Sequence, residues 1–129
     1  MRVLVIDDEP DLAEFVARLL RRRGDCCQVT HSAESARILL DDQDFDLVLS
    51  DLKMPGMSGV DLYDLLNASK HPMANRMAFM SANAPNTPER IRLERTGRPC
   101  LEKPFDAARF EEFLLRSQAA AVRSIHDPP

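Results

Sequence analysis

Apolar residues along the chain fall into two alternating rhythms. Val3-Leu4-Val5-Ile6 is a short continuous apolar run, the mark of a strand covered on both faces. After Pro10, which suits a first helical position, Leu12, Phe15, Val16, Leu19 and Leu20 recur at helical spacing. Gly24 closes that helix after three arginines. The alternation repeats: a strand over Cys26–Thr30, then a helix opened by Ser32 and striped by Ala36, Leu39 and Leu40. A strand over Asp46–Ser50 leads into a turn-rich loop at 52–58 with Pro55, Gly56 and Ser58. A helix marked by Val60, Leu62, Tyr63, Leu65 and Leu66 follows.

The last third is less apolar but keeps the order. Met77–Ser81 reads as a strand, and "NAPNTPER" carries two prolines before a polar helix ending near Thr96. Pro99–Glu102 is a short strand whose proline suits a sheet edge, where a missing N–H costs no ladder bond. Asp106 caps the closing helix, with Phe105 and Phe110 at the staple positions. Strands alternating with helices predict an α/β fold: a parallel sheet with helices on both faces. The expected domain spans residues 1–122, with 123–129 a frayed polar tail.

Composition narrows the class. At 129 residues the chain suits one domain with a real core, without metal or disulfide staples. Seventeen basic and twenty-one acidic residues give −4, which argues against a general nucleic-acid binder. No apolar stretch is long enough to span a bilayer, and strand pattern begins at Arg2 with no leader peptide, so a cytoplasmic location is expected. Adjacent Cys26 and Cys27 with a distant Cys100 form neither a disulfide framework nor a zinc pattern; three buried or half-buried thiols are expected.

In parallel α/β sheets, active groups collect beyond the carboxyl ends of the strands. Here the first strand ends in Asp7 and Asp8, the third in Asp51, the fourth in Ser81 and the fifth in Lys103. Taken singly each has a plainer reading: acids at a helix N-terminus, a turn aspartate, a strand-end serine, a surface lysine. Together they place carboxylates, a hydroxyl and an ammonium on one rim. Two carboxylates roughly 4 Å apart repel by about 4 kcal/mol at an effective dielectric near 20, so the cluster needs a compensating cation. Magnesium, which takes a few carboxylates and leaves room for waters and a phosphate, fits that need.

"VLVIDDEPD", "DLVLSDLKMPGMSGVDL", "MAFMSA" and "LEKPFD" together resemble the signature blocks of receiver domains from two-component response regulators. Their order and spacing fit as well, over about residues 2 to 118. The resemblance implies a flavodoxin-like doubly wound (βα)5 fold with strand order 2-1-3-4-5. Asp51 would be the phospho-acceptor, taking a phosphoryl group from a sensor histidine kinase or a histidine phosphotransfer protein. Asp8, Asp51 and the backbone carbonyl of Lys53 would ligate Mg²⁺, or Mn²⁺ in its place, with Asp7 acting through water. Lys103 would bind a phosphoryl oxygen, Ser81 would move to hydrogen-bond the phosphoryl group, and Ala82 would leave it approachable. Lys53 and Asn83 would tune phosphate lifetime, and Pro104 would follow a cis peptide bond. Output would pass to a protein partner through the face of helix 4, strand 5 and helix 5, with no direct nucleic-acid or membrane role. The domain would be a regulatory phospho-acceptor that assists its own phosphorylation and dephosphorylation, not an enzyme in the ordinary sense.

The chain departs from that pattern at Cys100, where receivers usually carry Tyr or Phe as a rotating signal. A thiol cannot reproduce the aromatic swing; its plainer reading is a small hydrophobe on an edge strand, and redox sensing would need an accessible low-pKa thiolate. Arg90, Arg92, Arg95 and Arg98 make the fourth helix region basic, either a solvated face or a partner surface. Two other functions compete: a haloacid-dehalogenase-like Mg²⁺-dependent phosphatase and a degenerate receiver used only for docking. The phosphatase would need a second aspartate two residues after Asp51, where Lys53 stands. Whether the domain stands alone or belongs to a hybrid kinase is left open by the sequence, as is its oligomeric state.

Overall fold

The computed structural model describes residues 1–82 and 88–126, the side chains of 122–126 excepted. Asn83 and the following turn lie outside the described residues. The elements run β1 (Arg2–Ile6), α1 (Pro10–Arg22), β2 (Cys26–Thr30), α2 (Ala33–Asp42) and β3 (Leu47–Asp51). They continue as α3 (Gly59–Ala68), a short 3-10 turn (Pro72–Arg76), β4 (Met77–Ala82), α4 (Pro88–Thr96), β5 (Cys100–Lys103) and α5 (Ala107–His126). The strands form one sheet in the order β2-β1-β3-β4-β5 with every pairing parallel, so the expected doubly wound architecture is present.

Successive side chains of a strand point to opposite faces, and here both faces are covered by helices. Val3, Val5, Leu47, Leu49, Ala78, Met80 and Leu101 pack with Val16 and Leu20 of α1 and Phe110, Phe113 and Leu114 of α5. Leu4, Ile6, Val48, Met77 and Phe79 pack on the other side with α2, α3 and Leu93 of α4. Leu93 is the one buried residue of α4. That helix is held largely by charge: Arg90 pairs with Glu102 of β5 at 2.8 Å, and Arg92 with Asp61 and Asp64 of α3 at 2.8 and 2.7 Å. Arg98, beyond the helix, donates its Nε–H to the Met77 carbonyl at 2.9 Å. Much of the basic run therefore serves to fasten α4.

Helix ends follow the expected chemistry, with additions. Ser32 caps α2 and Asp106 caps α5, each accepting from a backbone N–H three residues on. Phe105 and Phe110 stack with ring centroids 5.7 Å apart, closing the staple. The loop after β3 ends in a full capping box between Ser58 and Asp61, which the turn-rich composition had concealed. The 3-10 turn at Pro72–Arg76 was likewise unanticipated.

Three expectations need adjustment. Cys26 is exposed, not buried, because it opens β2 at the sheet edge; Cys27 and Cys100 are half-buried, and all three are free thiols. Pro99 sits just before β5, lending its carbonyl to Phe79 N–H at 2.9 Å, and Lys103 is the last strand residue. Helix α5 continues to His126, past the domain boundary expected at residue 122.

Candidate functional site

The carboxyl ends of β1, β3, β4 and β5 meet on one rim because parallel register aligns them. Ile6 lies opposite Ser50, Asp51 opposite Met80, and Ala82 opposite Lys103. Each strand that overshoots its partner by a residue or two delivers a polar group to the same place.

Asp7 is fully buried directly after β1. Its backbone N–H donates to Thr30 O at 3.1 Å, and its Oδ1 accepts from Glu9 N–H at 2.9 Å. Glu9 occupies the N-cap position of α1, but its own side chain makes no cap bond. The Asp7 Oδ2 atom is buried with no hydrogen-bond partner and lies 3.6 Å from Lys103 Nζ. Asp8 is partly exposed beside it.

Asp51 ends β3 and is 5% exposed. Lys103, at the end of β5, donates from Nζ to Asp51 Oδ1 at 3.1 Å. The loop after Asp51 is anchored at both ends, Leu52 N–H to Met80 O at 2.8 Å and Gly59 N–H to Leu52 O at 3.0 Å. Gly59 must lack a side chain: a Cβ there would overlap the Asp51 carbonyl oxygen and lie 2.9 Å from Ser50 Oγ. Helix α3 is thereby seated against the backbone of Asp51.

Ser81 is buried, and its hydroxyl donates to Ala82 O at 2.9 Å; Ala82 itself is exposed. Asp51, Lys53, Ser81, Ala82 and Lys103 line a single cleft of about 340 Å³. Glu9, Leu52 and Glu89 complete its wall, and none of the three stands out as a site residue in the sequence. Glu89 stands in the first turn of α4, where acids are common for dipole reasons, so its residue type alone gave no signal. The Lys103-Pro104 peptide bond is cis, as expected.

Burial dominates the electrostatics. It pushes the Asp51 carboxyl up from 3.8 to about 6, with Lys103 pulling down and Asp7 pushing up further. Asp7 is also raised, again mainly by burial, against the backbone bond from Glu9 and the charge of Lys103. One ammonium does not compensate this cluster. Asp7, Asp8 and Asp51 each offer a carboxylate oxygen, all within 4.8 Å of one another, and could hold a metal ion. The donor set suits a hard divalent cation, and the bonding deficit at Asp7 Oδ2 is one such an ion or its water would fill. Cys100, by contrast, lies opposite Phe79 on β5 and packs against the core, where burial pushes its thiol up to about 11. That environment disfavours the thiolate a redox sensor requires.

Comparison with known proteins agrees with this geometry. The family model for the response regulator receiver domain matches residues 3–115. The sensory/regulatory protein RpfC of Xanthomonas campestris is 32% identical over 99% of the chain, which spans 18% of that protein. The DNA-binding response regulator MtrA of Mycolicibacterium smegmatis is 30% identical over 98% of the chain, which spans 53% of it. Among solved structures, a response regulator receiver protein from Pseudomonas putida superposes with TM-score 0.78 at 28% identity, covering 89% of this chain and 95% of that one. The Francisella response regulator 1452 receiver domain does so with TM-score 0.76 at 25% identity, covering 95% and 98%. The curated relatives are thus longer proteins of which this chain matches a part. With its fold, its rim of strand-end acids and these matches, the chain belongs to the response regulator receiver domain family.

Proposed function

We propose that Asp51 accepts a phosphoryl group from a phosphohistidine and that the domain signals through a changed protein-binding surface. The observation that carries this reading is the Lys103–Asp51 contact in a cleft also lined by Ser81, with Asp7 and Asp8 offering carboxylate oxygens close to that of Asp51. A carboxylate oxygen of Asp51 attacks phosphorus while the P–N bond to the donor imidazole breaks, leaving an aspartyl phosphate. Transfer of this kind demands alignment and neutralisation of charge on the equatorial oxygens. Lys103 supplies one positive charge and turns from Asp51 toward a phosphoryl oxygen. Asp8, Asp51 and the Lys53 backbone carbonyl would hold Mg²⁺, or Mn²⁺ in its place, with Asp7 acting through water, and the ion would supply the rest of that charge. Asp51 must be ionised to attack, and the cation and Lys103 both favour that form over the protonated one that burial favours.

Ser81 reports the event. Its hydroxyl now serves the Ala82 carbonyl, and it exchanges that bond for a phosphoryl oxygen, drawing the end of β4 inward. Exposed Ala82, Lys53 and the neighbouring Asn83 set how freely water reaches the phosphate. Cys100 cannot act as an aromatic rotor, so the change passes through α4, fastened by ion pairs around a single buried leucine. A protein partner on the face of α4, β5 and α5 would find Ile91 of α4 and Leu115 of α5 exposed, at 48% and 57%. A net charge of −4 supports a role without direct nucleic-acid contact, and no helix among the described residues is long and apolar enough to cross a membrane. Relatives named as DNA-binding or transcriptional regulators favour a cytoplasmic setting.

Intact mass after incubation with acetyl phosphate and Mg²⁺ tests the reading: one phosphoryl group, stable to acid and labile to base, is expected. No adduct would favour a docking-only receiver. A haloacid-dehalogenase-like phosphatase is disfavoured by the family match and by Lys53 at the general-acid position.

A further inference from the structure

We infer that His31 is a positioning residue for the acidic turn at Asp7-Asp8, and so for cation binding; the inference rests on the site reading proposed above. His31 directly follows β2, whose last residue Thr30 lies opposite Ile6 of β1. That register brings the imidazole beside the acid turn, and His31 Nδ1 lies 2.9 Å from the Asp7 carbonyl oxygen. A carbonyl can only accept, so Nδ1 carries the proton and donates.

The bond fixes a particular peptide. Asp7 is held at its N–H by Thr30 O and at Oδ1 by Glu9 N–H. The bond from Glu9 N–H spans the peptide between Asp7 and Asp8 from inside the turn, and His31 grips the carbonyl of that same peptide from outside it. The plane of that peptide sets where the Cα of Asp8 stands, and Asp8 offers its carboxylate to the cluster from a partly exposed position. Asp7 is locked by burial, whereas Asp8 is partly exposed. His31 supplies a second restraint on the turn, from a neighbouring strand end. Groups behind metal ligands commonly act this way, orienting a ligand without touching the ion.

His31 is exposed, so its replacement leaves the core intact. Asparagine places an N–H donor near the Nδ1 position and phenylalanine places none, which separates the hydrogen bond from ring bulk. The test is Mg²⁺ titration by calorimetry on the whole chain, with thermal melting in EDTA and the ¹H–¹⁵N resonance of the Asp8 amide as second readouts. The expected result is Mg²⁺ affinity about three- to tenfold weaker in His31→Phe, below the roughly 10- to 100-fold typical when a ligating side chain loses its own partner. His31→Asn should stay within about twofold of wild type, extrapolating from the same orienting role. The Asp8 amide should shift in the metal-free His31→Phe protein and return in His31→Asn, while the melting temperatures agree. Unchanged affinity in His31→Phe overturns the inference, as does equal weakening in both variants or a loss tracking a lower melting temperature. Absence of Mg²⁺ binding in wild type overturns the site reading instead.

Discussion

Lys103 Nζ stands 3.1 Å from Asp51 Oδ1 and 3.6 Å from Asp7 Oδ2, so one ammonium at the end of β5 is shared by carboxylates from β1 and β3. Asp7 and Asp51 are both buried, and both carboxyl groups are raised by that burial. The site is therefore short of positive charge in the metal-free protein. Most of its expected behaviour follows from this imbalance.

The first consequence is an inverted dependence of stability on pH. Because Asp51 holds its proton more tightly in the folded state, at about 6 against 3.8, the folded protein is the one carrying the extra proton between those values. Stability contributed by this group is present at low pH, falls as pH rises through that window, and levels off above it. Asp7 adds to the same slope. Asp51→Asn should remove the Asp51 part and stabilise the metal-free protein at pH 7 by up to roughly 3 kcal/mol. Urea unfolding at pH 4.5 and 7 in EDTA measures it, approximate values chosen to bracket the window. Added Mg²⁺ should recover stability in wild type but less in the variant.

Removing Lys103 should act in the opposite sense on the fold. Lys103→Ala leaves two buried carboxylates without their ammonium, so both should hold protons to still higher pH. Stability at pH 7 should fall by about 1–3 kcal/mol, the usual cost of stranding a buried polar group. Phosphorylation by acetyl phosphate should slow by about a hundredfold or more, the scale for losing one charge-stabilising donor at a transition state. Mg²⁺ affinity should be retained or increased, because a competing cation is gone. Calorimetry and phosphorylation kinetics on the same preparation separate these effects.

Gly59 tests the seat of Asp51. A methyl at this position would overlap the Asp51 carbonyl oxygen, with rigid backbone as the obstacle. Gly59→Ala should cost about 1–3 kcal/mol or more and lower phosphorylation even in the fraction that folds. Thermal melting and adduct yield per folded molecule report the two parts.

The thiols should differ sharply in reactivity. Cys26 is exposed at the sheet edge, whereas burial holds the Cys100 thiol at about 11 and the Cys27 thiol likewise at about 11. Iodoacetamide near pH 8, followed by peptide mapping, should label Cys26 first and leave Cys100 largely unmodified until the protein unfolds, since the thiolate is the nucleophile. Fast labelling of Cys100 in the native protein would reopen a redox role.

Much of this architecture was legible in the sequence because its signals are local. The apolar run Val3–Ile6, the helical stripe after Pro10 and the cap at Ser32 each declare an element without reference to distant residues. The rule that active groups gather past strand ends then points to Asp7, Asp8, Asp51, Ser81 and Lys103. What stayed hidden depends on register. Lys103 reaching Asp7 as well as Asp51, His31 touching the Asp7 carbonyl and Glu89 walling the cleft are facts of which strand and helix ends lie side by side. No spacing along the chain encodes them. Cys26 was misjudged for the same reason: residue type favours burial, and only its place on the edge strand exposes it.

The acceptor can be identified most directly by trapping the phosphoryl group on its carboxylate. Borohydride reduces an acyl phosphate to an alcohol, turning the phosphorylated aspartate into homoserine at a position that peptide sequencing can read. After incubation with acetyl phosphate and Mg²⁺, the homoserine should appear at Asp51, and neither there nor elsewhere in Asp51→Asn. Homoserine at Asp7 or Asp8, or an undiminished adduct in Asp51→Asn, would contradict the account.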